Sequence, residues 1–201
     1  MQKLAKGCTT KNIKEKKEGV GSMSILRKIP TILGAGGGGN IEYYNYIVLP
    51  KTAYIDTGIK DNEAVAFNII YIPVSLANSY QNYLASELDN FTFAYYSSNR
   101  NYLRCNGGEI SHNIAANFGT EYNYSYDNIT SLGTSSQNII VNNNISLTRG
   151  GYQKLKLLQV FTNDKSFIFS PAIVNNIHGI INTVSGNFYA AQGEGAYCVN
   201  E

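Results

Sequence analysis

Tryptophan is absent from this chain, and histidine, cysteine and charge are scarce. Each shortage removes a class of chemistry. His112 and His178 stand alone, with no His, Cys or carboxylate at ligand spacing, so neither points to a metal centre or a catalytic triad. Cys8, Cys105 and Cys198 fit neither a zinc pattern nor an even disulfide framework, and reduced structural thiols are expected. No apolar run approaches the ~20 residues of a membrane span. Lysines and polar residues interrupt every apolar run before Ile25, leaving no hydrophobic region of a secretory signal, so synthesis and assembly in a cytoplasm are expected.

What remains is a chain of 201 residues, 43% hydrophobic, with 16 Tyr, 8 Phe and abundant Asn. That length suits one domain plus an appendage, or two small domains. Tyrosine suits half-exposed positions on a pleated sheet; an AT-rich genome explains the same composition, which therefore assigns no function. The charge is unevenly placed. Residues 1–30 hold eight bases (Lys3, Lys6, Lys11, Lys14, Lys16, Lys17, Arg27 and Lys28) against Glu15 and Glu18, a net +6, and the remainder is net −4. Such asymmetry marks an interaction tail rather than a folded face.

In chain order, residues 1–33 read as a basic arm. It holds at most a short helix over 10–18 with no apolar face to dock it, and it ends in Ile29, Ile32 and Leu33. A solvated terminus and an arm that orders on a partner are both open. No aromatics interleave with its bases, so nucleic acid is not an expected partner. Gly34, Gly36 and Gly39 fit a dinucleotide fingerprint by spacing, but the β-prone run from Ile41 to Leu49 stands where the phosphate-binding helix would begin. Residues 34–40 are therefore a hinge. From Ile41 onward, apolar–polar alternation between turn signals predicts strands at 41–48, 52–58, 64–72, 82–87, 90–96, 101–105, 108–114, 137–141, 145–147, 154–161, 166–170, 179–183 and 187–190. Asn106-Gly107 marks a hairpin and Asn142–Asn144 another tight turn. The pattern predicts an all-β sandwich or barrel over residues 41–201.

Two motifs lie at opposite ends of that region. The first is Tyr54-Ile55-Asp56-Thr57-Gly58. The second runs from His178 to Gly195, with a turn at Gly186, the pair Phe188-Tyr189, and Gly193-Glu194-Gly195. Between them, Lys156–Phe161 and Phe167–Ala172 lead up to and across a proline. Together these resemble the opening and closing patterns of concanavalin A-like lectin/glucanase (LamG-like) domains in phage virion proteins and bacterial surface proteins. The likeness spans about 41–199 and leaves residues 1–40 and the middle of the domain without a match. It implies a concanavalin A-like jelly-roll β-sandwich carried on an extended N-terminal arm.

Glucanases of that class carry a Glu-x-Asp-x-(x)-Glu strand, in which one carboxylate attacks and another protonates the leaving group. Here Glu87 and Asp89 begin the pattern, but Phe91 and Thr92 stand where the last acid belongs, so no enzyme is expected. No carboxylate cluster suggests Ca²⁺, and no cofactor is expected. Tyr95-Tyr96 and the alternating Tyr122, Tyr124 and Tyr126 are the candidates for glycan or subunit contact, with packing favoured over carbohydrate. The resemblance thus implies a structural protein of a phage virion, a fibre, collar or capsid appendage. Its partners would be other virion proteins and further copies of itself, a trimer being favoured, with no membrane. Particle anchoring would fall to Lys11, Lys14, Lys16, Lys17, Arg27, Lys28, Ile29, Ile32 and Leu33. The second implication is an adhesin module that binds host-surface glycans.

Overall fold

The computed structural model describes residues 40–74, 80–86, 91–96, 100–105, 108–112, 117–127, 143–148 and 151–201, all within the compact unit Ile32–Glu201. The arm, the glycine hinge up to Gly39 and the expected strand 137–141 lie outside the described residues. Among the described residues there are fifteen strands and no helix: β1 (Ile41–Tyr43), β2 (Tyr46–Leu49), β3 (Ile55–Lys60), β4 (Ala64–Pro73), β5 (Tyr80–Ser86), β6 (Phe91–Tyr96), β7 (Arg100–Cys105), β8 (Gly108–His112), β9 (Tyr122–Tyr126), β10 (Asn144–Leu147), β11 (Gln153–Thr162), β12 (Ser166–Val174), β13 (Ile177–Asn182), β14 (Phe188–Ala190) and β15 (Tyr197–Val199).

They form two antiparallel sheets in a sandwich-like, all-β arrangement. One runs β3-β10-β5-β6-β7-β8. The other runs β14-β13-β12-β11-β2-β15, with β4 along the second edge of β11 and β9 beyond it. Alternation drives the layering. In β4, Phe67, Ile69 and Tyr71 are buried while the residues between them are half-exposed, as a strand with one core face requires. Across the gap, Phe91 and Phe93 of β6 and Tyr83 of β5 meet them. Phe67 lies edge-on to Phe91 at 5.6 Å, Tyr71 is 4.5 Å from Tyr83, and Phe93 stacks on Tyr124 at 4.4 Å. Offset and edge-on ring pairs of this kind contribute about 0.5–1.5 kcal/mol each beyond their buried area.

The chain passes between the sheets from β10 to β11 through Thr148, which has φ +55°, a costly conformation for a β-branched residue. A buried network surrounds it. The Thr148 amide donates to the Tyr83 carbonyl at 3.1 Å. The side chain of fully buried Gln153 donates to that same carbonyl at 3.0 Å and to Thr148 Oγ1 at 2.6 Å.

Several expectations need correcting. β9 and β15 were not predicted as strands, and β12 continues through Pro171 to Val174. Pro171 is tolerated because its partner changes there. β11 pairs β12 as far as Phe169 and β1 takes over at Ala172, while the Pro171 carbonyl accepts the Tyr44 amide at 3.0 Å. The missing N–H therefore falls at the join between two partners. Asn144, expected in a turn, opens β10. β7 and β8 pair antiparallel with Cys105 opposite Gly108, as the expected hairpin requires, while Asn106 and Gly107 lie outside the described residues.

Candidate functional site

The two sequence motifs meet in space. Tyr54 and Gln192 exchange both backbone hydrogen bonds, at 3.0 and 2.8 Å, and the Tyr54 hydroxyl donates to Gln192 Oε1 at 2.6 Å. Thr52 Oγ1 donates to the Glu194 carbonyl at 3.0 Å. A Cβ on Gly193 (φ +82°) would stand 1.9 Å from the Thr52 oxygen, and one on Gly195 would press on Pro50. Glycine is thus required at Gly193 both by its left-handed φ and by close backbone approach.

Asp56, Thr57 and Gly58 build a bulge in β3. Asp56 opposes Ser146 and Lys60 opposes Asn144, so four steps of β3 match two of β10. Gly58 takes φ +70°, and the Tyr189 ring lies over the place where its Cβ would be. Asp56 Oδ1 accepts the Gly58 amide at 2.8 Å, and its Oδ2 accepts Asn144 Nδ2 at 2.9 Å. Thr57 Oγ1 donates to the Ile145 carbonyl at 2.6 Å. Gly186 (φ +78°) closes the β13–β14 hairpin by donating to the Asn182 carbonyl at 2.7 Å. Phe188 and Tyr189 point to opposite faces. Tyr189 joins the core and meets Phe169 edge-on at 5.4 Å, and Phe188 covers Gly179. The motifs form a clasp that holds one side of the fold shut.

The tyrosine candidates do not make an exposed platform. Tyr122, Tyr124 and Tyr126 share a face, as their alternation predicts, but it is the inner one. Tyr124 is buried, its neighbours are half-buried against the core, and burial holds the Tyr124 phenol above its ordinary range. Tyr95 and Tyr96 end β6 opposite Asn101 and Arg100, and their side chains lie outside the described ones. Glu87, Asp89 and the nine anchoring residues of the arm also lie outside the described residues. Phe91 and Thr92 are buried on β6.

Spacing missed two pairings. The Cys198 amide donates to His178 Nδ1 at 3.1 Å, although the residues are twenty apart. This is no nucleophile–base pair: the ring nitrogen is occupied, the thiol faces the Ala172 carbonyl at 3.4 Å, and burial pushes it up to about 11, whereas an activated cysteine needs a depressed pKa. Cys105 lies near Asp61; burial first, and then that carboxylate, push its thiol up to about 12. Asp61 itself is buried, with neither carboxylate oxygen hydrogen-bonded.

A surface trio joins β2, β9 and β11. The Tyr46 hydroxyl donates to Glu121 Oε2 at 2.7 Å, and Lys156 Nζ reaches the same oxygen at 2.9 Å. The hydrogen bond to Glu121 raises Tyr46 and Lys156. For Glu121, desolvation is outweighed by those two donors, and its carboxyl lies below the usual range. All three groups satisfy one another, so the trio is a strap between strands.

One cleft has free chemistry. It lies between the β3–β4 turn and the β11–β12 hairpin, encloses about 280 Å³, and is lined by Asn62, Glu63, Thr162, Asn163, Asp164, Lys165 and Phe167. Among the described residues no three His, Cys, Asp or Glu side chains gather to hold a metal. Neither a family model, nor a curated protein, nor a solved structure matches this chain.

Proposed function

We propose that the chain is a structural protein of a phage virion, in which a lectin-like jelly-roll sandwich is displayed on a basic arm, residues 1–33, as part of a fibre, collar or capsid appendage. The observation that carries this is the clasp: Tyr54–Gly58 and Gly186–Gly195, the residues behind the family resemblance, are hydrogen-bonded and packed together. The all-β sandwich-like fold supports the same assignment. In this role the sandwich faces outward. The lysines and arginine of the arm meet acidic rims on a capsid, collar or tail protein, and Ile29, Ile32 and Leu33 enter an apolar groove. A trimer suits such an appendage, because ordering an arm on a partner costs entropy that several copies acting together offset.

The test is incorporation. In particles assembled from the genome encoding this chain, antibody against residues 41–201 should decorate the virion surface. Deleting residues 1–33 should abolish decoration while the purified protein keeps its β-rich circular dichroism. Undecorated wild-type particles would remove the virion role, and normal incorporation of the truncated chain would move the anchor to the sandwich.

The polar cleft favours a second role, an adhesin module that binds host-surface carbohydrate. The two roles are compatible on one virion.

A further inference from the structure

We propose that the cleft between the β3–β4 turn and the β11–β12 hairpin is a subsite for one saccharide ring, which rests on the adhesin role just described. The pairing of Ala64 with Thr162 sets the two turns side by side. Hydrogen bonds from main-chain amides hold both turns. Glu63 N–H donates to the Lys60 carbonyl at 3.1 Å and Asp61 N–H to Asn143 at 2.9 Å; Thr162 N–H donates to Lys165 at 2.9 Å, and Lys165 N–H to Thr162 Oγ1 at 3.1 Å. These four amides are therefore already hydrogen-bonded within the protein. The side chains of Asn62, Glu63, Asn163, Asp164 and Lys165 are exposed and make no hydrogen bond or ion pair among the described residues. Half-buried Phe167 forms the apolar wall, held parallel to Phe169 at 6.4 Å.

The lining selects the ligand class. Two carboxylates against one ammonium disfavour phosphates and other anions. A single ring is too little apolar surface for a lipid. Two amides, two carboxylates and an ammonium offer both donors and acceptors, which vicinal hydroxyls can match on both counts. The apolar side chain of Phe167 suits the C–H side of a pyranose. The volume of about 280 Å³ lies just under the roughly 300–1,000 Å³ of drug-sized sites, enough for one sugar ring. Because amides of both turns are already hydrogen-bonded, the ordering needed on binding falls mainly on the side chains.

The test is saturation-transfer difference NMR on the full chain with the methyl glycosides of glucose, galactose, mannose and N-acetylglucosamine. Saturation transfer to at least one is expected, with at least a tenfold loss of affinity in Asn163→Ala and in Asp164→Ala. Both positions are exposed turn residues, so an unchanged melting temperature serves as the folding control. Transfer that survives undiminished in both variants would refute this cleft while leaving the adhesin role standing. No transfer from any of the four sugars would refute both. Neither result bears on incorporation into particles.

Discussion

Replacing Asp56 by alanine removes two hydrogen bonds that no neighbouring group replaces. Oδ1 holds the Gly58 amide at 2.8 Å and Oδ2 the Asn144 side chain at 2.9 Å. A hydrogen bond to a charged group contributes about 1.5–3 kcal/mol. Asp56 is half-exposed, so water recovers part of this at the Gly58 amide. The Asn144 amide recovers less, because its own oxygen is already buried without a partner. Together these give a loss of about 2–3 kcal/mol, or a fall in Tm of roughly 5–10 °C at the ~2–4 °C per kcal/mol usual for this size. Asp56→Asn should cost less than half as much. Its oxygen still accepts from Gly58, and Asn144 can turn its own oxygen toward the new amide. Urea denaturation of D56A, D56N, N144A and the double variant D56A/N144A checks this, with a coupling of about 1 kcal/mol expected between the two sites. Equal losses for D56A and D56N, or additivity in the double variant, would refute the bulge account.

Three further outcomes are expected. Asp61→Asn should raise the urea midpoint by the equivalent of about 1–2 kcal/mol, since it replaces a buried carboxylate without a hydrogen-bond partner by a neutral group of the same shape; a lowered midpoint would mean that the charge is compensated. Stability should fall as pH rises above about 9, because the unfolded Cys105 thiol ionises near its ordinary value of 9.0 while the folded one stays protonated up to about 12. The unfolded state then binds fewer protons, so the slope is negative. Cys105→Ala should reduce the slope and leave the part due to Cys198, whose thiol is also pushed up, to about 11; melting curves from pH 8 to 10.5 measure the difference. Gly193→Ala should cost at least ~2 kcal/mol, from left-handed strain plus collision with the Thr52 carbonyl. Gly119→Ala should cost only about 1 kcal/mol, because Gly119 has a similar φ of +74° with open space around it; equal midpoints for the two variants would dismiss the collision.

Local pattern carried the strands where apolar residues fill the buried face and polar ones the wet face. It reached β4, where apolar residues alternate, and the pairing of β7 with β8 on either side of an Asn-Gly signal. β9 escaped because its inward residues are three tyrosines, whose hydroxyls read as surface chemistry while their rings fill the core. β15 has three residues, too few for a period, and is a strand only because Tyr46, Ile47 and Val48 of β2 pair with it. The extent of β12 through Pro171 depends on where one neighbour ends and another begins, which no local signal encodes. The cleft was invisible for the same reason: its walls lie about a hundred residues apart, and the Ala64–Thr162 pairing joins them. Asp56 was legible as an acceptor for the turn amide, whereas its bond to Asn144 depends on sheet register.

The position of β2 has a consequence for how the protein is made. β2 precedes most of the other described strands in the chain, yet its two neighbours are β11 and β15, synthesised roughly a hundred and a hundred and fifty residues later. The hydrogen-bonding edges of β2 therefore stay open until those strands are made, and the Tyr54–Gln192 exchange waits as well. Pairings this distant in sequence form slowly and expose strand edges on the way. Until Tyr197–Val199 are available one edge of β2 stays unsealed, so closing that edge waits for β15 rather than for growth of the core. Crowded synthesis of many copies at once would be the condition under which edges meet each other before they meet their own chain.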